Sequence, residues 1–282
     1  RKDKRKIEKK AKKKQKTKSC KRKKAAGKAD MKITIITITY NSEKTIARTM
    51  ESVLSQSMLE KSNGEDRVEY LLIDGKSSDT TVAVAESFRS RMEAKGIELR
   101  ILSEKDQGIY DAMNKGIRQA TGDVIGILNS DDWYEKETLQ TVADTFRREN
   151  CDLMFANIRM HRADGSTFVK KARLRSFQTS RDWNHPTTFV KASLYKAHPF
   201  KMLGIHDDYG FYLEVRKAGA KIITVDQVLA DFTMGGASNH KSLKEAGRRI
   251  KERYLYCYRI NGYSRWYLIE CIAIEAAKWL LG

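Results

Sequence analysis

No apolar run in this sequence approaches the roughly 20 residues a membrane-spanning helix needs, so no integral span is visible in the 282 residues. Cysteine is scarce. Cys20, Cys151, Cys257 and Cys271 form no C-x-x-C pair and have no closely spaced histidines. That argues against structural zinc and for reduced thiols in the cytoplasm. Two phosphate-binding fingerprints are missing as well: no G-x-G-x-x-G follows the first apolar run, and no G-x-x-x-x-G-K-[ST] occurs anywhere. A dinucleotide-binding turn and a P-loop are therefore excluded, and phosphate here is not held chiefly by a glycine-rich backbone cradle.

Basic residues, by contrast, are abundant: 55 Lys and Arg against 36 Asp and Glu, a net +19. The excess is local. Residues 1–30 hold 17 basic and 3 acidic residues, a net +14, leaving only +5 for the other 252. The first thirty residues have almost nothing apolar to bury, so a disordered tail or a solvated helix is expected. They lack the apolar centre of a secretory signal peptide. Such a block suits RNA or an anionic membrane surface, or is an upstream extension without a role, since Met31-Lys32 opens a strand as a native start would.

From Met31 onward strands and helices alternate. Lys32–Thr39 (KITIITIT) is β-branched and apolar, the pattern of a parallel strand buried on both faces. Thr45–Gln56 reads as helix, Val68–Ile73 as strand, Asp79–Lys95 as one long helix and Ile97–Leu102 as strand. Ile109–Ala120 is helical, Asp123–Leu128 a fourth strand and Glu135–Glu149 a further helix. This order predicts an α/β fold with a mostly parallel, Rossmann-like central sheet flanked by helices. Later elements are a helix near Asp208–Ala218, two strands at Ile222–Val225 and Val228–Phe232, and a helical C-terminal extension. The expected organisation is a basic tail (1–30), a catalytic α/β domain (31–240) and an amphipathic helical segment (241–282).

In such sheets ligands gather outside the carboxyl ends of the strands. Polar and acidic groups collect there: Thr39-Tyr40-Asn41-Ser42-Glu43, Asp74 to Thr80, Ser103 to Gly108, and Asn129-Ser130-Asp131-Asp132. Asp79 reads as a helix cap. Four strand ends of this kind argue for a site. With no glycine cradle, the Asp131-Asp132 pair after an apolar strand suggests a divalent cation, Mg²⁺ or Mn²⁺, bridging a diphosphate.

The motifs ITYN, IDGKSSDTT, SEKDQGIYDAMNKGIRQATGD and GILNSDD, with NHPTTFVKASLY, HDDYGFYLEVRKAG and GGASN, resemble the inverting glycosyltransferases of family 2, which have the GT-A fold. The likeness covers most of residues 31–240 and is closest to the branch that builds bacterial surface polysaccharides of the colanic-acid type. Lys76 stands where the family commonly has glycine, and Ser130 where many members have Asp. The resemblance implies a nucleotide-sugar donor, UDP-linked by preference. Thr39, Tyr40 and Glu43 would border base and ribose, Asp74 would meet the base, and Asp106 would lie near the nucleotide. Asp131 would contact ribose or sugar, and Asp132 would coordinate the metal, which offsets charge on the leaving diphosphate.

The resemblance also places a base for the acceptor hydroxyl in HDDY: Asp208 first, Asp207 second. At a helix start the dipole favours the ionised carboxylate. His185 in NHPTTF would bind acceptor, a saccharide or lipid-linked molecule. Gly235-Gly236-Ala237-Ser238 resembles a loop near the diphosphate, and His240 behind it is a weaker metal candidate. His161 and His198 offer surface or packing roles. Residues 243–281 mix basic residues with Tyr254, Tyr256, Tyr258, Trp266, Tyr267 and Trp279. That composition suits peripheral contact with the inner face of a membrane, although a helix packed on the domain or a dimer interface would look alike. The alternative function is a nucleic-acid-binding protein using the tail, which a core at +5 with acidic strand ends disfavours.

Overall fold

A computed structural model describes residues 30–61, 66–234 and 242–281. The basic tail up to residue 29, the GGAS loop and His240 lie outside the described residues.

The unit from Met31 onward is built on one sheet. Its first half comprises β1 (Lys32–Thr39), β2 (Arg67–Asp74), β3 (Ile97–Ser103) and β4 (Val124–Ile127), in spatial order β3-β2-β1-β4 and all parallel. Its second half adds β5 (Trp133–Tyr134), β6 (Leu153–His161), β7 (Thr167–Lys170), β8 (Phe189–Lys191) and β9 (Ile222–Thr233). Here β8 runs antiparallel to β4 and β6, whereas β6 and β9 are parallel partners along their length. Most paired residues are parallel, as the sequence predicts, and the mixed half is what the short later strands build.

The side chains of β1 alternate between two cores. Ile33 and Ile35 join Met50, Val53 and Phe146 on one face. Ile36 and Ile38 join Met113, Ile117, Tyr209 and Tyr212 on the other. Burial on both faces is why KITIITIT carries no alternating polar face. The first face is covered by α1 (Ile46–Leu54), a short α2 (Met58–Lys61), α3 (Thr81–Glu86), α4 (Arg89–Ala94) and, after α5, by α6 (Thr138–Glu149); α5 (Ile109–Gln119) lies on the second. Further elements are α7 (Ala192–Ala197), α8 (Asp207–Lys217), α9 (Leu243–Glu252), a π-helical segment (Arg253–Arg259) and α10 (Tyr267–Leu281). Among the described residues no helix is long and apolar enough to cross a membrane.

Two expectations about elements need correction. The helix expected over 79–95 is two, α3 and α4, separated at Ser87-Phe88. The Ser87 hydroxyl bonds back to the Val84 carbonyl at 2.6 Å, a local competitor to helical bonding. The periodic burial of Thr81, Ala85, Phe88 and Met92 continues through the break, which is why the sequence reads as unbroken. Conversely, the two strands expected at 222–232 are one, β9. Its pairing with β6 jumps from Val225 to Val228, leaving exposed Asp226 and Gln227 as a bulge.

Candidate functional site

The parallel register ends level. Thr39 pairs with Asp74 and Asp74 with Ser103, so three strand termini open on one edge. The loops beyond are laced together. Ser77 Oγ accepts from Asn41 N–H (2.8 Å), Asn41 Oδ1 accepts from Ser78 N–H (2.9 Å), and the Ser42 and Ser130 hydroxyls lie 2.8 Å apart. Asp79 accepts from Thr81 N–H (3.0 Å) and the Thr81 hydroxyl (2.5 Å) but stands one residue before the N-cap, Thr80, of α3, and its other oxygen takes the Glu43 N–H at 3.2 Å. Glu43 in turn accepts from the Thr80 N–H and hydroxyl. These loops border an open cavity of about 560 Å³ that includes Ser42, Glu43, Asp79, Ser130 and Asp131.

Beside it, Tyr40 is 64% exposed and offers a free aromatic face. A Cβ on Gly75 would sit 2.6 Å from Asp106 Oδ2 and 3.4 Å from the Tyr40 ring, so any larger residue there would push the Asp106 carboxylate aside. Tyr40, Gly75 and Asp106 thus meet. Asp74 is fully buried and already occupied: Ser77 N–H, Ser77 Oγ–H and Ser103 Oγ–H all donate to it, at 3.0, 2.5 and 2.6 Å. Neither serine stands out as functional in the sequence. Lys76, in the same loop, has φ +66°, a left-handed backbone that explains the family's glycine.

The acidic pair after β4 is clamped from two sides. From α1, the Thr49 hydroxyl donates to the Asp132 carbonyl (2.7 Å), and Arg48 donates to the Asp131 carbonyl (3.0 Å) with its guanidinium 3.6 Å over the Trp133 ring. From the end of β9, Thr233 donates its hydroxyl to the Asp131 carbonyl (3.1 Å) and its N–H to Asp132 Oδ1 (3.3 Å). Asp132 Oδ2 is buried with no hydrogen-bond partner, and so are Thr39 Oγ1 and Asn129 Oδ1 on the ends of the adjacent strands β1 and β4. Burial, reinforced by the neighbouring Asp131 charge, pushes the Asp132 carboxyl well above the ordinary range. Burial raises Asp131 too.

This chemistry fits a hard divalent cation, since two adjacent carboxylates with an unsatisfied buried oxygen gain most from a positive charge. No group of three His, Cys, Asp or Glu able to hold a metal occurs among the described residues. The protein would supply two carboxylates here, the remaining positions falling to phosphate and water, as is usual for Mg²⁺.

The two candidate bases face different ways, although both lie in the first turn of α8. Asp207 is 7% exposed and accepts the Leu203 N–H (2.9 Å), with the Met202 and Gly204 N–H groups also turned to it. It holds its own loop. Asp208 instead meets Tyr110 and His185: the Tyr110 hydroxyl donates to Oδ1 at 3.0 Å, and His185 Nδ1 lies 3.3 Å from Oδ2. Burial lowers the His185 pKa against the pull of Asp208, and its Nε2 is buried without a partner. Tyr110 lies in the DQGIYD motif but gives no sign in the sequence of meeting Asp208. Arg48 and Thr233 carry no sequence signal at all. His161 contacts Asp231 (2.6 Å) and His198 contacts Glu214 (2.8 Å), both away from this pair.

Comparison with known proteins bears on family and fold. The PGL/p-HBAD biosynthesis glycosyltransferase of Mycobacterium tuberculosis (strain ATCC 25618 / H37Rv) is 39% identical over 94 residues, 33% of this chain and 36% of that protein. The chain spans about a third of the length of the curated relatives it matches first. Among solved structures, Staphylococcus aureus TarS 1-349 in complex with UDP-GlcNAc superposes with TM-score 0.56 at 19% identity, covering 88% of this chain and 72% of that one. The mannosyltransferase PcManGT from Pyrobaculum calidifontis, in complex with GDP-Man and Mn²⁺, gives TM-score 0.58 at 15% identity, over 88% and 74%. These two likenesses are in fold, and the fold is the expected GT-A architecture. The model of glycosyl transferase family 2 matches residues 34–204. The chain belongs to that family.

Proposed function

We propose that the protein transfers a sugar, with inversion, from a nucleotide-diphosphate donor to a saccharide or lipid-linked acceptor in surface polysaccharide synthesis. The observation that carries this reading is the set of unsatisfied oxygens at one sheet edge: Thr39 Oγ1, Asn129 Oδ1 and Asp132 Oδ2, beside a cavity bordered by Glu43 and Asp131. Buried polar atoms are costly when unpaired. Three on adjacent strand ends are best accounted for by a ligand.

In this reading Tyr40 stacks on the base, with Asp74 and Asp106 beside it and Glu43 toward the ribose. To reach a base, Asp74 must exchange one of its serine donors for it. The preference for a UDP-sugar is supported by the UDP-GlcNAc complex of TarS. Asp131 and Asp132 would hold Mn²⁺ or Mg²⁺, in line with the Mn²⁺ bound by PcManGT. The ion would supply Lewis-acid stabilisation of the leaving diphosphate. Asp208 acts as general base: the acceptor O–H gives its proton to the carboxylate as the oxygen bonds the anomeric carbon. The bond from that carbon to the diphosphate oxygen breaks on the opposite side, and its electron pair leaves with the diphosphate. His185 lines the acceptor side.

A peripheral position on the cytoplasmic face of a membrane completes the proposal. Trp266, Ile269 and Ile272 are 71%, 59% and 50% exposed along the outer side of α10 and its N-terminal approach, near exposed Arg259 and Arg265. Apolar and cationic side chains together suit a lipid interface. The nucleic-acid alternative rests on the tail alone, and nothing at the sheet edge favours it.

Turnover and donor titration of two variants test the base. Asp208→Asn should lower kcat by about 10²–10⁴ with donor Kd nearly unchanged. Asp207→Asn should do less to kcat, because its carboxylate bonds the Leu203 N–H of its own loop. A fully active Asp208→Asn protein would overturn the assignment of the base. Indifference of the melting temperature to every nucleoside diphosphate, with or without Mn²⁺, would overturn the reaction class.

A further inference from the structure

Asp208 has two oxygens in unequal surroundings. Oδ1 accepts two hydrogen bonds, from the Tyr110 hydroxyl at 3.0 Å and from Tyr209 N–H at 2.8 Å. Oδ2 accepts none, although His185 Nδ1 lies 3.3 Å away. Among the described residues Tyr110 is the only side chain that hydrogen-bonds this carboxylate. The other groups facing it are engaged elsewhere or have no bond to it. Lys170 Nζ donates to the Trp183 carbonyl (2.8 Å) and the Ser180 carbonyl (3.3 Å). Cys257 Sγ donates to the His206 carbonyl (3.2 Å). Asp207 is turned to its loop, and Tyr195 is near enough to feel the charge without bonding it.

Tyr110 itself is held firmly. It is 6% exposed, packs on Phe200 with ring centroids 5.4 Å apart, and lies in the first turn of α5, two residues after Gly108, whose N–H donates to Asp106 at 2.9 Å. One turn along α5, Asn114 is bonded both ways to Phe200, donating to its carbonyl (2.9 Å) and accepting its N–H (3.0 Å). The start of α5 is thereby locked to the segment that leads into α8, and the tyrosine hydroxyl has little freedom to leave the carboxylate.

We propose that Tyr110 is the positioning residue of the base: by tethering Oδ1 it fixes the rotation of the Asp208 carboxylate and leaves Oδ2 as the oxygen that receives the acceptor's proton. The inference rests on Asp208 being the base. It also connects base and donor sides, because the helix turn that aims Asp208 starts at the loop carrying Asp106.

The test is Tyr110→Phe in the full chain, which keeps the ring packed on Phe200 and removes only the hydroxyl. Misaiming a reacting group by a small amount is costly in rate. A fall in kcat of roughly tenfold or more is expected, with donor Kd and acceptor KM nearly unchanged. Tyr195→Phe removes a nearby hydroxyl that does not bond Asp208, and should leave kcat as it is. An inactive Asp208→Asn beside a Tyr110→Phe protein with unaltered kcat would overturn the inference and spare the base. An active Asp208→Asn would remove the base itself. Should Tyr195→Phe reproduce the Tyr110→Phe fall in kcat, the effect is general packing and the positioning role falls.

Discussion

Two buried carboxylates sit at opposite ends of the same parallel sheet. Glu69, near the start of β2, and Asp132, beyond the end of β4, are both fully buried. Burial would push Glu69 up, but the Thr121 N–H, the Thr34 and Thr121 hydroxyls and Lys32 outweigh it and hold the group below its ordinary value. Arg100 adds a contact at 3.3 Å. Asp132 has one long N–H bond, an unpartnered Oδ2 and a second carboxylate beside it, and is pushed the other way. The amino end of the sheet completes its charges from its own chain. The carboxyl end leaves them incomplete, and that asymmetry separates an acid satisfied within the fold from one that is not.

The comparison breaks first, and most visibly, at Asp132. Asp132→Asn keeps the shape and removes a buried charge that lacks a partner. Lewis-acid stabilisation is worth several kcal/mol, so turnover should fall by about 10³-fold or more. The ligand-free protein should melt no lower than wild type, because an uncompensated buried charge is lost, and stabilisation by Mn²⁺ with UDP should disappear. Differential scanning fluorimetry with and without both ligands checks this. A marked loss of stability in the ligand-free variant would show that Asp132 is satisfied within the fold, as Glu69 is.

Glu69→Gln should do the reverse. Its loss strips a charged acceptor from Thr34, Thr121 and Arg100, at a cost of about 1–3 kcal/mol, while turnover per folded molecule stays the same. The pH dependence fixes the sign. With the folded pKa below the ordinary 4.5, the unfolded chain binds the extra proton as pH falls. The stabilisation is therefore complete above 4.5 and is lost as pH drops through the folded value. Denaturant midpoints of variant and wild type should differ at pH 7 and converge in acid. A constant difference down to pH 3 would mean that packing, not charge, is what the variant removes.

How much of this was readable in advance follows from the range of each interaction. β1, β2 and β4 were legible because burial on both faces demands largely apolar runs, and the Asp131-Asp132 turn because it directly follows one. Asp74, Glu43 and Asp106 could be placed on the right edge, since strand ends define it. What holds them could not: Ser103 bonds Asp74 across strands, and Thr233 reaches the acidic pair from the far end of β9. The different aims of Asp207 and Asp208 were hidden too, since side by side on one helix turn they differ only in what the fold brings to each. Tyr110 meets Asp208 from 98 residues away, and no local pattern encodes such a contact. The misread elements failed for local reasons: a serine that bonds its own helix at Ser87, and a polar bulge at 226–227 that imitates a turn.

The smallest expected effect sharpens the same comparison through the backbone. Lys76 lies exposed between Asp74 and Ser77 with φ +66°. A left-handed backbone costs a residue with a Cβ about 1–2 kcal/mol, and glycine avoids that penalty. Glycine also gives the unfolded chain more freedom, which takes back about 0.5–1 kcal/mol. Lys76→Gly should therefore stabilise by about 0.5–1 kcal/mol, read as a higher denaturant midpoint at an unchanged slope. The conformation itself is not expected to change, because Ser77 bonds Asp74 through both its N–H and its hydroxyl whatever residue 76 is. Donor Kd should accordingly stay within about threefold of wild type, an exposed lysine contributing little to an exposed phosphate. A variant that is less stable than wild type would mean that the lysine side chain makes up its own strain. One that is more stable but binds donor tenfold more weakly would place Lys76 on the nucleotide, and make the departure from glycine a part of the site.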